Sequence, residues 1–435
     1  MDTKFPIIKN IDELGDSQLK EDALEILEEG YESIMVERLI KSKVELKDGH
    51  ICFADKKICL DDYEKIYLIA FGKCAVSSAT AFEEILGSKI SGGIVLDVKK
   101  EDFKHLVSEE GTHPLSSPKN VFVTKNIVEI LKEADKRDLI LLVISGGGSS
   151  LLCLPYISEI ENQKMFIDEL MKKGATIKEL NTVRKHISLI KGGQLAEMAY
   201  PAKLVSFILS DVPGDDLSVI ASGPTVMDKT TIDDAQKIID KYKMDVSMRK
   251  LNIFLKETPK KEKFFENSVN ILLGSNMIAL EAMKKKAECL GYNAYIENSK
   301  LEGEAKVVSP EIVSRDYRAM SCHLWGGETT VKVTGGGVGG RNQEFVLSAL
   351  PFIVPNMVVV AAASDGWDNS DVAGAIGDID LYNKALDLDL DADDFLKKNN
   401  SYDFFKQAGG HIKTGRTGEN VADFYMILKG SDGED

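Results

Sequence analysis

A chain of 435 residues is too long for one ordinary hydrophobic core and fits two domains. Its 43% apolar and 29% charged residues are the balance of a soluble globular protein. A formal charge of −16, from 54 basic and 70 acidic side chains, works against holding nucleic acid or an anionic membrane by bulk electrostatics, but leaves room for a small anionic substrate in a locally positive cleft.

The opening stretch, MDTKFPIIKNIDELGDSQLK, lacks the basic end, long apolar core and small-residue cleavage site of a signal peptide. The longest apolar runs, 139–144 and 357–363, have the length of strands and are too short to span a bilayer. None of the six cysteines forms a Cys-x-x-Cys pair, and there is no His-Glu-x-x-His. A cytoplasmic protein with reduced thiols and no structural metal is expected.

Residues 11–46 predict helix, with Leu24, Ile26 and Leu27 set among acids and lysines at helical spacing. An alternation follows: strand 66–70, helix 76–86, strand 93–98, helix 121–134, strand 139–144, strand 205–209 and helix 234–242. These strands are continuous apolar runs, which predicts a parallel sheet covered on both faces. The charged run KETPKKEKFFEN at 256–267, broken by Pro259, predicts a boundary between domains 1–260 and 266–435. Beyond it come strand 269–274, helices 278–290 and 305–319, and extended segments 321–325 and 329–334. Helix 342–350 and strands 357–363 and 423–428 complete the second α/β alternation.

Glycine clusters where strands should hand over to helices. After strand 139–144 stand Ser145, Gly146, Gly147, Gly148, Ser149 and Ser150, a loop whose backbone N–H groups and hydroxyls could converge on an anion. A tight turn is the plainer alternative. The second cluster, Gly335-Gly336-Gly337-Val338-Gly339-Gly340, satisfies Gly-x-Gly-x-x-Gly, with Asp365 at about the distance of a ribose-binding acid. Its closing Arg341 suits a transferring phosphoryl group better than a pyrophosphate. Spacing alone leaves hydride transfer and phosphoryl transfer even.

Other strand-end loops carry charge. Lys73 could reach a phosphate as a point charge or be a solvated surface lysine. Asp211, Asp215 and Asp216 lie in a Pro–Gly turn after strand 205–209 and could hold Mg²⁺ or cap a turn. Asp365 and Asp368 repeat the theme. In the stretch 181–186, Arg184 beside Lys185 could grip a carboxylate bidentately, while His186 alone reads as structural. No Walker A loop, protein-kinase signature or Gly-x-Ser-x-Gly elbow is present.

Four longer stretches resemble the signatures of the glycerate kinase type-2 family, the glycerate 2-kinase group with a C-terminal MOFRL domain. They are VISGGGSSLL at 143–152, NTVRKHISLIKGGQLA at 181–196, SDVPGDDLSVIASGPT at 210–225 and GGETTVKVTGGGVGGRNQEF at 326–345. The resemblance implies an N-terminal Rossmann-like domain, a smaller C-terminal α/β domain and an active site in the cleft between them. It also implies ATP as donor, Mg²⁺ or another divalent cation, and Lys73 and Arg341 as catalytic groups.

On that basis the nucleotide is assigned to Ser145, Gly146, Gly147, Gly148, Ser149 and Ser150, and the metal to Asp211. Asn181, Arg184 and Lys191 are assigned to the glycerate carboxylate, with Asp365 or Asp211 as candidate base and Asp365 as an alternative metal ligand. The expected reaction gives 2-phosphoglycerate from D-glycerate. An NAD(P)H-dependent hydroxypyruvate reductase is the second reading and a phosphometabolite-binding protein the third. A homodimer is one open assembly, with no nucleic acid or membrane partner expected. Three loops depart from the family pattern: His113-Pro114-Leu115-Ser116-Ser117-Pro118 lacks two acids, Arg416 stands where a proline is usual, and Trp367 where an isoleucine is usual. They bear on acceptor range and metal geometry.

Overall fold

A computed structural model describes residues 6–212 and 214–431; Pro213 of the acidic turn lies outside the described residues. The chain divides into two units: Val36–Leu273, and the described residues of Met1–Met35 with Gly274–Asp435.

The unit Val36–Leu273 opens with the helix Val36–Lys43, and an antiparallel meander follows, β1 (Val44–Lys47), β2 (His50–Phe53) and β3 (Lys56–Cys59). The helix expected as far as residue 46 therefore stops at Lys43. Asp48 and Gly49 explain the stop: both take positive φ (51° and 75°) in a two-residue hairpin that pairs Lys47 with His50. The main sheet follows, with β4 (Lys65–Phe71), β5 (Gly92–Asp97), β6 (Val107–Glu110), β7 (Asp138–Ile144), β8 (Lys203–Leu209) and β9 (Ser268–Gly274). Its order is β6-β5-β4-β7-β8-β9, and β4 to β8 pair in parallel. Alternate residues of each apolar run serve two cores. Leu68, Leu141 and Val205 pack on one face, and Ile69, Leu142 and Leu204 on the other. The register sets Phe71 beside Ile144 and Ile144 beside Ile208, so the carboxyl ends of β4, β7 and β8 lie level.

The second unit carries β10 (Asn293–Leu301), β11 (Ser321–Gly327), β12 (Met357–Ala363), β13 (Gly374–Gly377), β14 (His411–Ile412) and β15 (Asp423–Lys429), in the order β10-β11-β15-β12-β13-β14. Only β10 and β11 are parallel; the other pairs are antiparallel.

The expected boundary at 260–266 is wrong at both ends. The strand at 268–274 joins the first sheet beside β8, because the charged run before it folds back onto that unit: Lys256 N–H reaches the His186 carbonyl at 2.7 Å. The helix Gln18–Ile34, expected in the N-terminal domain, buries Leu24, Leu27, Tyr31 and Ile34 against Met283, Leu324 and Phe424 of the second unit. Gly30 permits this approach, since a Cβ there would lie 2.8 Å from Met283. The Tyr31 hydroxyl donates to the Ala363 carbonyl at 2.9 Å, and its ring meets Phe424 edge-on. Two further expectations fail: the helix at 305–319 ends at Val313, and 329–334 is no strand, its ladder contact being one bridge from Thr330 to Glu304.

Leu27→Ala should therefore destabilise the unit of Gly274–Asp435, at a cost of about 2–5 kcal/mol. Urea unfolding followed by hydrogen exchange checks this. Protection should fall first in β11 and β15; a fall confined to β4 and β7 would contradict it.

Candidate active site

Three loops leave the level carboxyl ends of β4, β7 and β8, the edge at which open α/β sheets hold ligands. Gly72, with φ 123°, lets the first two loops touch, because a Cβ there would strike the Ser145 hydroxyl. Lys73 N–H donates to the Gly146 carbonyl at 2.9 Å, and Cys74 N–H to Ser145 Oγ at 3.2 Å. A Cβ on Gly146 would lie 2.7 Å from Asp211 Oδ2, and one on Gly147 3.1 Å from Lys73 Cγ and 3.0 Å from His113 Cδ2. Lysine, carboxylate and imidazole thus surround bare backbone.

Burial raises the Asp211 pKa, while the Lys73 charge and the Gly147 N–H oppose the rise. Burial and the Lys73 charge both lower the His113 pKa. Asp97, at the end of β5, steadies the lysine loop by accepting from Val76 N–H at 2.9 Å in the first turn of the helix Ala75–Leu86; burial raises its pKa to about 6. Its sequence signal was an acid closing an apolar strand.

The 145–150 loop is a narrower cradle than its glycines suggested. Gly148 N–H and Ser150 N–H bond to carbonyls of their own turn, and Ser145 is a buried strut between loops. The helix that follows, Gly148–Leu151, is a single turn with negligible dipole. Ser149 and Ser150 instead face a cavity of about 250 Å³, lined also by Ser116, Cys153, Arg184 and Lys191. Lys191 donates to the Ser149 carbonyl at 2.8 Å and to its hydroxyl at 2.9 Å. Burial lowers the Lys191 pKa to about 7, with the Arg184 charge adding to the fall. Asn181 does not line the cavity; its Oδ1 receives Arg184 Nη1 at 3.4 Å.

Arg184 is not held by Glu179, which caps its own helix and pairs with Lys241 at 2.6 Å. Lys185 turns away to the buried Asp228 at 3.1 Å, and His186 is buried against the Thr182 carbonyl, so both are structural.

In the second unit, Arg341 opens the helix Arg341–Ala349. Its Nε and Nη2 donate to the two oxygens of Asp423 at 2.5 and 2.9 Å, and Nη1 meets Glu328 at 2.8 Å. Burial works against the guanidinium charge, but Asp423 outweighs it and raises the pKa. The second glycine cluster is chiefly a packing device. Thr334 and Gly335 N–H groups donate to Asn399 Oδ1, Gly337 N–H to the Lys398 carbonyl and Val338 N–H to Asn400 Oδ1. With no strand before it and three of its N–H groups, those of Gly335, Gly337 and Val338, already bonded within the unit, it is not a dinucleotide fingerprint. Asp365 takes Trp367 N–H at 3.0 Å, and Asp368 is buried as the cap of the Arg341 helix, accepting Gln343 N–H at 2.9 Å.

Two departures from the family pattern answer each other: the Arg416 guanidinium lies 3.9 Å from the Trp367 ring centre. In the third, Ser116 Oγ donates to the Ser150 carbonyl at 2.7 Å and ties that loop to the cavity wall.

A lysine whose folded pKa is about 7 loses stability relative to its unfolded value of 10.5. The penalty is full below pH 7 and shrinks as pH rises towards the unfolded value. Lys191→Met should thus gain more stability, or lose less, at pH 6 than at pH 9. Paired denaturation curves check it; a pH-independent difference would return Lys191 to an ordinary amine.

A domain-of-unknown-function model (DUF4147) matches residues 22–254, and the MOFRL family model matches residues 321–423. The chain is 37% identical over 432 residues to the glycerate 2-kinase of Pyrococcus horikoshii, covering 94% of this chain and 97% of that protein. It is 36% identical over 430 residues to the D-glycerate 2-kinase of Thermotoga maritima, with 94% and 98% covered. The crystal structure of glycerate kinase from Thermotoga maritima matches with a TM-score of 0.85 at 33% identity, covering 94% of this chain and 99% of that one. With both domain models matched in order and relatives aligned over nearly their full length, the chain belongs to the glycerate kinase type-2 family with a C-terminal MOFRL domain.

Proposed function

We propose that the protein is an ATP-dependent glycerate 2-kinase that transfers the γ-phosphoryl group of ATP to D-glycerate, with 2-phosphoglycerate as product. The observation that carries the reading is the meeting of Lys73, Asp211 and the bare backbone of Gly146 and Gly147, together with a cavity holding Arg184 and Lys191. One set suits phosphate and the other a carboxylate. The names and extents of the relatives support the same reading.

Phosphoryl transfer needs alignment and charge neutralisation more than covalent help. Lys73 supplies a positive charge beside the glycine turn, where backbone can approach a phosphate without a side chain between. Arg341 supplies a second cation with a fixed plane. A divalent ion would neutralise phosphate charge. Asp211 offers the hard oxygen that Mg²⁺ prefers, and among the described residues no group of three His, Cys, Asp or Glu could hold an ion unaided. That donor set fits an ion carried mainly by nucleotide and water. Arg184 and Lys191 grip the glycerate carboxylate from the cavity wall, and Ser149 and Ser150 face its hydroxyls. Orientation of this kind lowers a barrier by about 7–11 kcal/mol. Asp211 is taken as the metal ligand, and Asp365 as the candidate base.

The test is incubation with ATP, Mg²⁺ and D-glycerate, with ADP release coupled to an indicator and the product identified by NMR. ADP and 2-phosphoglycerate should form in equal amounts and both should vanish with EDTA. Conversion of glycerate to hydroxypyruvate with NAD(P)⁺, without ADP, would establish the reductase instead.

A further inference from the structure

The start of β15 holds a carboxylate where the rest of the strand is almost wholly apolar or aromatic. Asp423 is 1% exposed and sits in the middle of the sheet, opposite Gly327 of β11 and Ala363 of β12. Burying a carboxylate there is costly unless it is paired and hydrogen-bonded. Arg341 meets both its oxygens, and the Tyr425 hydroxyl donates to Oδ2 at 3.1 Å. The Tyr425 oxygen in turn accepts Thr329 N–H at 3.1 Å. The helix begun by Arg341 packs Phe345 on the Tyr425 ring, with centroids 4.7 Å apart, which fixes the distance from that helix to the strand.

An arginine that follows a glycine run has four free side-chain torsions and little to restrain them. A two-point contact to a residue locked in a central strand removes that freedom. Of the five guanidinium N–H donors, Asp423 takes two and Glu328 one, which leaves two without a partner among the described residues. Glu328 is half-exposed, whereas Asp423 is rigidly held, so the aim of the group is set by Asp423.

We infer that Asp423 is a positioning residue that fixes the plane of the Arg341 guanidinium, so that its two remaining N–H groups meet the transferring phosphoryl group. The inference rests on the kinase reading, which takes Arg341 as a group that touches the phosphoryl oxygens.

The experiment is steady-state kinetics of the full-length protein with ATP, Mg²⁺ and D-glycerate, for wild type, Asp423→Asn, Arg341→Ala and the double variant, with melting curves of each. Asp423→Asn should lower kcat by up to about 100-fold, the cost of a misplaced reacting group, with KM values nearly unchanged. In the Arg341→Ala background the same change should cause no further loss, because the residue acts only through the guanidinium. A full-sized loss in that background, or a wild-type kcat in Asp423→Asn, overturns the inference. If Asp423→Asn fails to fold, Tyr425→Phe removes one hydrogen bond from Asp423 while keeping the ring. It should show a smaller kcat loss that also disappears with Arg341→Ala, and an unchanged kcat overturns the inference. Wild type that releases no ADP refutes the kinase reading itself, and this inference with it.

Discussion

The closeness of two backbone turns governs the chemistry of the first unit. The turns after β4 and β7 are joined by the Lys73 N–H to Gly146 bond, and Gly72 is the residue that allows it. Any side chain at 72 would push the loops apart and carry Lys73 away from Asp211 and Gly147. The sheet supplies the rest of the alignment. Parallel pairing sets three strand ends level, and apolar side chains pack on both faces of the strands behind them.

The second unit meets the same need by different means. Its sheet is largely antiparallel, so the start of β15 lies beside the ends of β11 and β12, and charged groups gather there from both chain directions. Its glycines let the segments 335–340 and 398–401 pack closely, and the positive charge at that end is held by carboxylates instead of a backbone cradle. The N-terminal helix contributes through Tyr31, whose hydroxyl bonds to the last residue of β12, directly before the Asp365 loop.

Much of the first unit was legible in the sequence, because long buried strands with glycine at their carboxyl ends have few other readings. The hairpin at 44–53 was missed although Asp48-Gly49 announced it; helical spacing upstream masked a two-residue turn. The domain boundary differs from the expected one because a charged run resembles a linker until its tertiary partners are known, and Asp228, which accepts from Thr258 Oγ1 and Lys260 Nζ of that run, is such a partner. The serines and glycines of 145–150 were legible as a group, but the division of labour among them was not: burial made Ser145 a strut and turned Ser149 towards Lys191. Asp423 carried no local signal, since its role arises from a bond to a residue 82 positions earlier.

The central claim is that the strand-end cluster around Lys73 stabilises charge in phosphoryl transfer. The most direct measurement is kcat for ATP-dependent phosphorylation of D-glycerate by Lys73→Ala, with folding verified by its melting curve. Loss of one such preorganised charge predicts a fall of about a hundred- to a thousandfold in kcat with little change in the KM for glycerate. A folded variant that retained near wild-type kcat would return Lys73 to the solvated surface and contradict the account.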